Sequence, residues 1–354
     1  MANFTRPGAA LALLSSLSLA ASTQAYDTIA FPTDRGDVTL YAPSEMDPES
    51  PLPLVVSLHG YTSSAAEHEN YFRLRNLVDE RRFLLCVPNG SLDSQGERFW
   101  NATEVCCDFE FRRPDDSGYL RGLIEGLMDA YPVDDGSIHV VGHSNGGFMA
   151  YRTACDHSDL IASIASLAGA TFNVPSDCTP AQPVHVLQIH GTQDDVIAFE
   201  GACFIPFFLC YPGARDSIEI WADYNGCRGS ATEIGTLDLV SNIGGAETTR
   251  LAIFEECAEE GETELWSIAG GNHGPNFNGN FSSELVDWLL AHRRDSPIDC
   301  PGDFNGDGRV DGAEISLLLG AWGSQDPAFD LDRDGDVGGG DLSILLASWG
   351  ACSG

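Results

Sequence analysis

Gly142-His143-Ser144-Asn145-Gly146 is where residue types and spacing first point to chemistry. The block reads G-x-S-x-G, directly after the apolar run 138–141 and just before a helix-like segment starting near Gly147. Glycines on both sides of a serine permit the sharp strand-to-helix turn that pushes a hydroxyl out at the carboxyl end of a sheet. The first N–H groups of the following helix then face a developing oxyanion. A serine hydroxyl stays a weak nucleophile until a base takes its proton and a carboxylate orients that base. Ser144 is therefore the candidate nucleophile. Asp194 and Asp195 compete for the acid in His190-Gly191-Thr192-Gln193-Asp194-Asp195, after the run 184–189, since an aspartate there can also simply form a turn. His273 is the candidate base, in Gly270-Gly271-Asn272-His273-Gly274 after the run 265–268. Two backbone N–H groups are expected to form the oxyanion hole, that of Asn145 and that of Tyr61 in the turn His59-Gly60-Tyr61. His143, beside the nucleophile, is assigned to substrate contact.

A second chemistry lies near the C-terminus. Asp303, Asn305, Asp307, Asp311 and Glu314 fall at positions 1, 3, 5, 9 and 12 of one loop, and Asp330, Asp332, Asp334 and Asp341 fall at positions 1, 3, 5 and 12 of another. Oxygen ligands at these positions, with glycine at the sixth, are what Ca²⁺ requires. Gly308 and Gly335 stand sixth. The seventh position uses a backbone carbonyl, so Arg309 and Asp336 both serve there. Gly338 stands ninth in the second loop and acts only through water, which predicts a weaker second site.

The elements that must position these residues are legible as periodic runs. Short continuous apolar stretches at 54–58, 83–87, 138–141, 161–168, 184–189 and 265–268 read as strands buried on both faces. Helix-like segments lie at 117–129, 147–155, 215–225 and 282–292. This alternation predicts an α/β fold, a mostly parallel sheet covered by helices. Residues 26–295 form the expected catalytic domain, 296–299 a linker, and 300–354 a small all-α module. Within that module, DFNGDGRVDGAEISLLLGAWG from Asp303 and DLDRDGDVGGGDLSILLASWG from Asp330 are two copies of one unit.

Composition narrows the function classes. All 18 basic residues are Arg, which excludes Schiff-base lysine chemistry and a P-loop lysine. A net charge of -35 argues against nucleic acid and against anionic membranes as partners. Residues 1–25 carry one charge, Arg6, then a small apolar run and Thr23-Gln24-Ala25, the pattern of a secretory signal peptide. Export to the extracellular space, with or without attachment to a cell surface, suits the 11 cysteines. Cys86 reads as a buried free thiol. Cys227 can pair with Cys257, Cys203 with Cys210, and Cys300 with Cys352. Cys106, Cys107, Cys155 and Cys178 leave three connectivities, and one of the adjacent pair is expected to reach Cys155.

LVVSLHGYTSSAAEHENYF, VPNG, RFWNATEVCC, DDSGYLRGLIEGL, GHSNGGFMAYRTAC, IHGTQDDVI and IAGGNHGPNF follow one another between about residues 36 and 292. Together they resemble the esterase family that contains polyhydroxybutyrate depolymerases and family 1 carbohydrate (feruloyl) esterases. The resemblance implies an α/β-hydrolase fold and a Ser-His-Asp triad with no cofactor for catalysis. It selects Asp194 over Asp195 through its H-G-T-x-D block, and it places Trp100 of the W-N-A block at the mouth of the site. The insertion 201–214 fits the pattern less well and either forms a lid or subsite or packs on the sheet edge. The repeat resembles a dockerin, which implies bound Ca²⁺ and a cohesin-type partner. The implied activity is hydrolysis of feruloyl or acetyl esters on plant-type polysaccharide. The alternatives are extracellular polyhydroxyalkanoate depolymerisation and, in another class, a Ca²⁺-dependent adhesion or scaffold protein with an inert hydrolase domain.

Overall fold

The apolar runs become the centre of one ten-stranded sheet. In this computed structural model, residues 26–204, 209–253, 257, 261–294, 302–305, 309–326, 328–332 and 335–351 are described. The signal segment, the 296–299 linker, Asp307, Asp334, and the expected pair Cys300 and Cys352 lie outside them. The strands are β1 (Asp27–Phe31), β2 (Val38–Ala42), β3 (Leu52–Leu58), β4 (Leu84–Val87), β5 (Val133–His143), β6 (Ser163–Leu167), β7 (His185–Gly191), β8 (Thr232–Leu237), β9 (Thr248–Ile253) and β10 (Thr263–Ile268). Their spatial order is β1-β2-β4-β3-β5-β6-β7-β10-β9-β8. Every pairing from β4 across to β10 is parallel. The two flanks, β1-β2-β4 and β10-β9-β8, are antiparallel.

The expected mostly parallel sheet is thus observed, with antiparallel margins that the apolar runs did not announce. The reason is burial. β6 and β7 are buried at every residue, whereas most of β8 is exposed and carries no continuous apolar signature.

Helices α1 (Ala65–Phe72), α2 (Asp116–Ala130), α3 (Asn145–Asp156), α4 (Ala214–Tyr224) and α5 (Asn280–Ala291) cover the sheet. Side chains alternate across β3, as the two-residue period of a strand requires. Leu54 and Val56 join a core with Leu120 and Ile124 of α2 and with Phe148 and Tyr151 of α3. Val55 joins the opposite core, with Phe72 of α1 and Phe281 and Leu285 of α5. The sequence pattern missed α1, where Ser64 caps the helix by accepting the Glu67 N–H.

The insertion 201–214 contains a hairpin of Gly201–Phe204 with Leu209–Pro212, closed by Cys203–Cys210. Cys227 pairs with Cys257, as expected, and Cys86 is free and buried. The other pairing corrects the sequence reading. Cys106 and Cys107 bond to each other, and Cys155 bonds to Cys178. Cys155 lies near the end of α3 with its Cα 5.5 Å from that of Cys178. Cys106 is instead held in its own loop by reciprocal backbone bonds with Thr103.

The C-terminal repeat yields α6 (Gly312–Gly320) and α7 (Gly339–Ala347) around a small core of Val310, Leu318, Val337 and Leu345. It is not all-α, because Arg309–Val310 pairs antiparallel with Gly350–Ala351 and ties the two ends of the unit together.

Candidate active site

Ser144 caps α3 at φ 55°, ψ −120°, a backbone conformation that an L-residue adopts only under constraint, at a cost of about 1–3 kcal/mol. Close approach of the surrounding chain supplies the constraint. A Cβ on Gly142 would lie 2.2 Å from the Gly146 backbone, and one on Gly146 would lie 2.2 Å from the Leu58 carbonyl oxygen. Both flanking positions therefore admit glycine alone. The Ser144 N–H donates to the Leu167 carbonyl on β6 at 2.8 Å, which pins the turn to the sheet.

The loops after β7 and β10 bring the acid and the base to this turn. His273 Nε2 lies 3.0 Å from Ser144 Oγ, and His273 Nδ1 lies 2.8 Å from Asp194 Oδ2. An ionised carboxylate only accepts, so Nδ1 carries the proton and the Nε2 lone pair is left for the serine O–H. Asp194 Oδ1 accepts the N–H groups of Val196 and Ile197, each at 2.9 Å. Burial is the largest influence on the Asp194 carboxyl and pushes its pKa up. Hydrogen bonds from His190 and His273, the charge of His273 and the Val196 N–H outweigh it and hold the pKa well below the usual carboxylate range. Asp195 is exposed and makes no contact with the base among the described residues.

The base loop is itself braced. Gly271 accepts the Gln193 N–H at 2.8 Å, and a Cβ on Gly191 would lie 2.3 Å from the Gly271 carbonyl oxygen. Tyr71 of α1 donates its hydroxyl to the Pro275 carbonyl at 2.9 Å. His143 Nε2 lies 2.9 Å from the His273 carbonyl oxygen, and its ring packs between Tyr71 and His273. Burial, helped by the charge of His273, lowers the His143 pKa to about 4, so its ring is neutral and donates from Nε2. His143 therefore steadies the base rather than touching substrate, and it is not among the residues lining the cavity beside Ser144.

Trp100 departs from the expectation in the same way. It is fully buried, its indole N–H donates to the His59 carbonyl at 3.0 Å, and its ring packs against the His59 ring. The Asn145 side chain clamps the Trp100 backbone, accepting its N–H at 2.7 Å and donating to its carbonyl at 2.9 Å. An indole enclosed on all sides cannot contact substrate, so Trp100 fixes the turn behind the nucleophile.

The two expected oxyanion donors are available. The Asn145 N–H belongs to the first turn of α3, where helical geometry offers no acceptor. In the turn after β3, the Thr62 and Ser63 N–H groups donate to Arg98 and Gly60, and that of Tyr61 has no acceptor among the described residues. Tyr61 and Ser144 line one cavity of about 340 Å³, together with Cys106, Phe109, Phe148 and Tyr211. The spacing of motifs could not reveal this wall. Its residues come from a loop, a helix and the 201–212 hairpin, and only the adjacent cysteines stand out in the sequence.

The acidic loops at the C-terminus differ in what is visible. In the second, ligand atoms of Asp330, Asp332 and Asp341 lie within 4.8 Å of one another. That set of convergent carboxylates suits a hard cation. Asp341 Oδ1 meanwhile accepts the Leu331 N–H at 2.7 Å, and Asp336 stands two residues before Gly338, which caps α7. In the first loop, Glu314 accepts from Asn305 and from the Asp311 N–H, while Asp311 caps α6 through the Ala313 N–H. Asp303 and Arg309 border the same loop, and Arg309 also pairs with Asp129 of α2 at 2.8 Å.

Residues 32–197 match the family model "Putative esterase", a span that holds Ser144 and Asp194 and ends before His273. A likeness of fold extends further. The acetyl xylan esterase from Aspergillus awamori superposes with a TM-score of 0.51 at 13% identity, covering 75% of this chain and 98% of that one. The fold is that of an α/β-hydrolase. Among curated proteins, the chain is 32% identical over 157 residues to "Putative esterase NocK" of Nocardia uniformis subsp. tsuyamanensis, covering 44% of this chain and 43% of that protein. It is 25% identical over 240 residues to "Feruloyl esterase B" of Piromyces equi, covering 65% of this chain and 41% of that protein. The chain thus spans less than half the length of these two relatives. No helix among the described residues is long and apolar enough to cross a membrane.

Proposed function

We propose that this chain is a serine esterase acting on bulky, apolar acyl esters, with feruloyl esters of plant-type polysaccharide first among them. The observation that carries the reading is the Ser144–His273–Asp194 chain of hydrogen bonds, 3.0 and 2.8 Å long, at a turn whose serine opens on an apolar cavity. In this mechanism His273 Nε2 takes the Ser144 proton as Oγ attacks the ester carbonyl. The N–H groups of Asn145 and Tyr61 hold the oxyanion. Asp194 stabilises the imidazolium, which then protonates the departing alcohol, and water repeats the sequence on the acyl-enzyme.

The acyl preference is supported by size. Pockets of about 300–1,000 Å³ enclose drug-sized ligands, and the cavity beside Ser144, at about 340 Å³, has far more room than an acetyl group fills. The likeness to a feruloyl esterase of Piromyces equi favours the same class. Four disulfides among the described residues favour an oxidising compartment, in keeping with the signal-like segment at the N-terminus. The C-terminal repeat is read as a dockerin-like module. Asp330, Asp332, Asp341 and the Asp336 carbonyl would hold Ca²⁺ in the second loop. Asp303, Asn305, Asp311, Glu314 and the Arg309 carbonyl would do so in the first, and a cohesin-type partner would tether the enzyme. Asp307 and Asp334 complete the ligand sets by sequence.

The test is a panel of methyl ferulate, acetylated xylan, p-nitrophenyl esters and polyhydroxybutyrate film with wild type and Ser144→Ala. Turnover of methyl ferulate that falls on the order of 10⁴-fold in a folded Ser144→Ala protein is expected. Hydrolysis of the polyester film alone would move the reading to a depolymerase. No hydrolysis of any ester would overturn it.

A further inference from the structure

The triad does not end at Asp194. Asp194 Oδ2, which receives His273, also lies 3.3 Å from His190 Nε2. His190 is buried on β7, two residues from Gln188 on the same strand, so both side chains leave the same face of the sheet. Gln188 Nε2 lies 2.9 Å from the Gly169 carbonyl, which can only accept, so this end of the amide carries the hydrogens. The same nitrogen lies 3.0 Å from His190 Nδ1. His190 Nδ1 is therefore the lone-pair nitrogen of its ring, and Nε2 carries the proton. That proton is donated to the Ile197 carbonyl at 2.8 Å, with the Asp194 carboxylate 3.3 Å from the same nitrogen. At the far end, the hydroxyl of Tyr151 donates to Gln188 Oε1 at 2.9 Å. Tyr151 belongs to α3, the helix that begins at the nucleophile.

From this arrangement we infer that Tyr151, Gln188 and His190 form a buried relay that positions Asp194 for His273 and ties the acid to the nucleophile's own helix. The inference rests on the esterase reading. His190 is a positioning residue that touches neither substrate nor the reacting atoms. Gln188 fixes its tautomer, and the resulting N–H occupies one side of Asp194 Oδ2, so that the carboxylate cannot rotate away from the base. Two backbone donors already hold Oδ1. His190 Nε2, 3.3 Å away, braces Oδ2 from the side opposite His273. The polar members are each fully or nearly fully buried, so a missing partner would be left without water.

The experiment compares His190→Phe, which keeps a ring and loses the donor, with His190→Gln, which keeps a donor, and with Gln188→Met, which frees the tautomer. Thermal melts identify the folded variants. Turnover of a p-nitrophenyl ester and labelling of Ser144 by a fluorophosphonate are then measured from acid to neutral pH. His190→Phe and Gln188→Met are expected to lower kcat by about 10- to 100-fold with KM almost unchanged, and His190→Gln to retain more of it. A carboxylate free to turn away from His273 stabilises the protonated base less, so the acid limb of kcat/KM moves to lower pH. The other titratable groups facing the pair are His143 from the turn before α3 and Tyr211 from the hairpin, and neither is altered. A folded His190→Phe protein labelled at the wild-type rate with an unmoved acid limb overturns the inference alone. A wild-type protein that Ser144-directed reagent fails to label overturns the esterase reading, and the relay with it.

Discussion

Asp194→Asn is the most informative single change, because the structure dictates how the amide must sit. Val196 and Ile197 direct two N–H groups at Oδ1, each at 2.9 Å, so the amide oxygen has to occupy that place. The NH₂ group then replaces Oδ2, where His273 Nδ1 approaches to 2.8 Å and His190 Nε2 to 3.3 Å. Facing a donor, His273 must accept at Nδ1 and move its proton to Nε2. That proton now points at Ser144 Oγ, and the base has no lone pair for the nucleophile. Loss of the correct tautomer costs on the order of 10⁴-fold in kcat, equivalent to about 5.5 kcal/mol at about 1.36 kcal/mol per tenfold. Asp195→Asn, at an exposed carboxylate, should leave kcat within about threefold. Steady-state hydrolysis of a p-nitrophenyl ester by both variants decides the matter. Should folded Asp194→Asn retain about a tenth of wild-type turnover, or Asp195→Asn lose as much, the tautomer argument fails.

Other outcomes follow from the same geometry. Trp100→Phe removes the indole N–H bond to His59 and should lower stability by about 1–2 kcal/mol in denaturant melts while KM stays unchanged; a raised KM would restore Trp100 to the substrate site. Burial pushes the Glu69 carboxyl up to about 7 against the pull of the Arg75 N–H and charge, and Oε2 has no partner among the described residues. The folded chain therefore holds a proton there that the unfolded chain, near ~4.3, has lost, so stability should fall as pH rises from about 4 to about 7. Glu69→Gln should flatten that slope, measured by melts across the range. Calorimetry of the full chain should register Ca²⁺ uptake that Asp341→Asn diminishes, while a chelator leaves turnover intact; no uptake at ~millimolar Ca²⁺ would remove the metal reading.

The tight turn at Ser144 was legible because its constraints are local. A serine at positive φ needs glycine neighbours, and these are adjacent in sequence. The sheet centre was legible for a related reason, since strands buried on both faces leave continuous apolar runs. Choosing between Asp194 and Asp195 from spacing alone was impossible, because the choice depends on which side of a turn faces a loop some 79 residues away. His143 and Trp100 were misread because proximity in sequence to a nucleophile does not say which way a side chain points. Their donors turn inward, to carbonyls of His273 and His59. The cysteine pairing failed likewise, since connectivity follows from spatial approach. The relay behind Asp194 has no motif at all. It exists because a two-residue strand period and one helix turn happen to bring three polar side chains to one buried line.

The strand order carries one more consequence. Ser144, Asp194 and His273 hang from β5, β7 and β10, and β10 is hydrogen-bonded to β7 across a stretch of chain that includes the whole β8–β9 flank. His273, the last of the three, therefore arrives only when β10 pairs with β7 over one of the sheet's two longest sequence separations, a slow event in folding. A chain emerging N-terminus first presents Ser144 and Asp194 long before it presents His273. If the proposed esterase reading holds, turnover is an all-or-none signal of completed assembly, and a refolding assay that follows ester hydrolysis reports the docking of one strand.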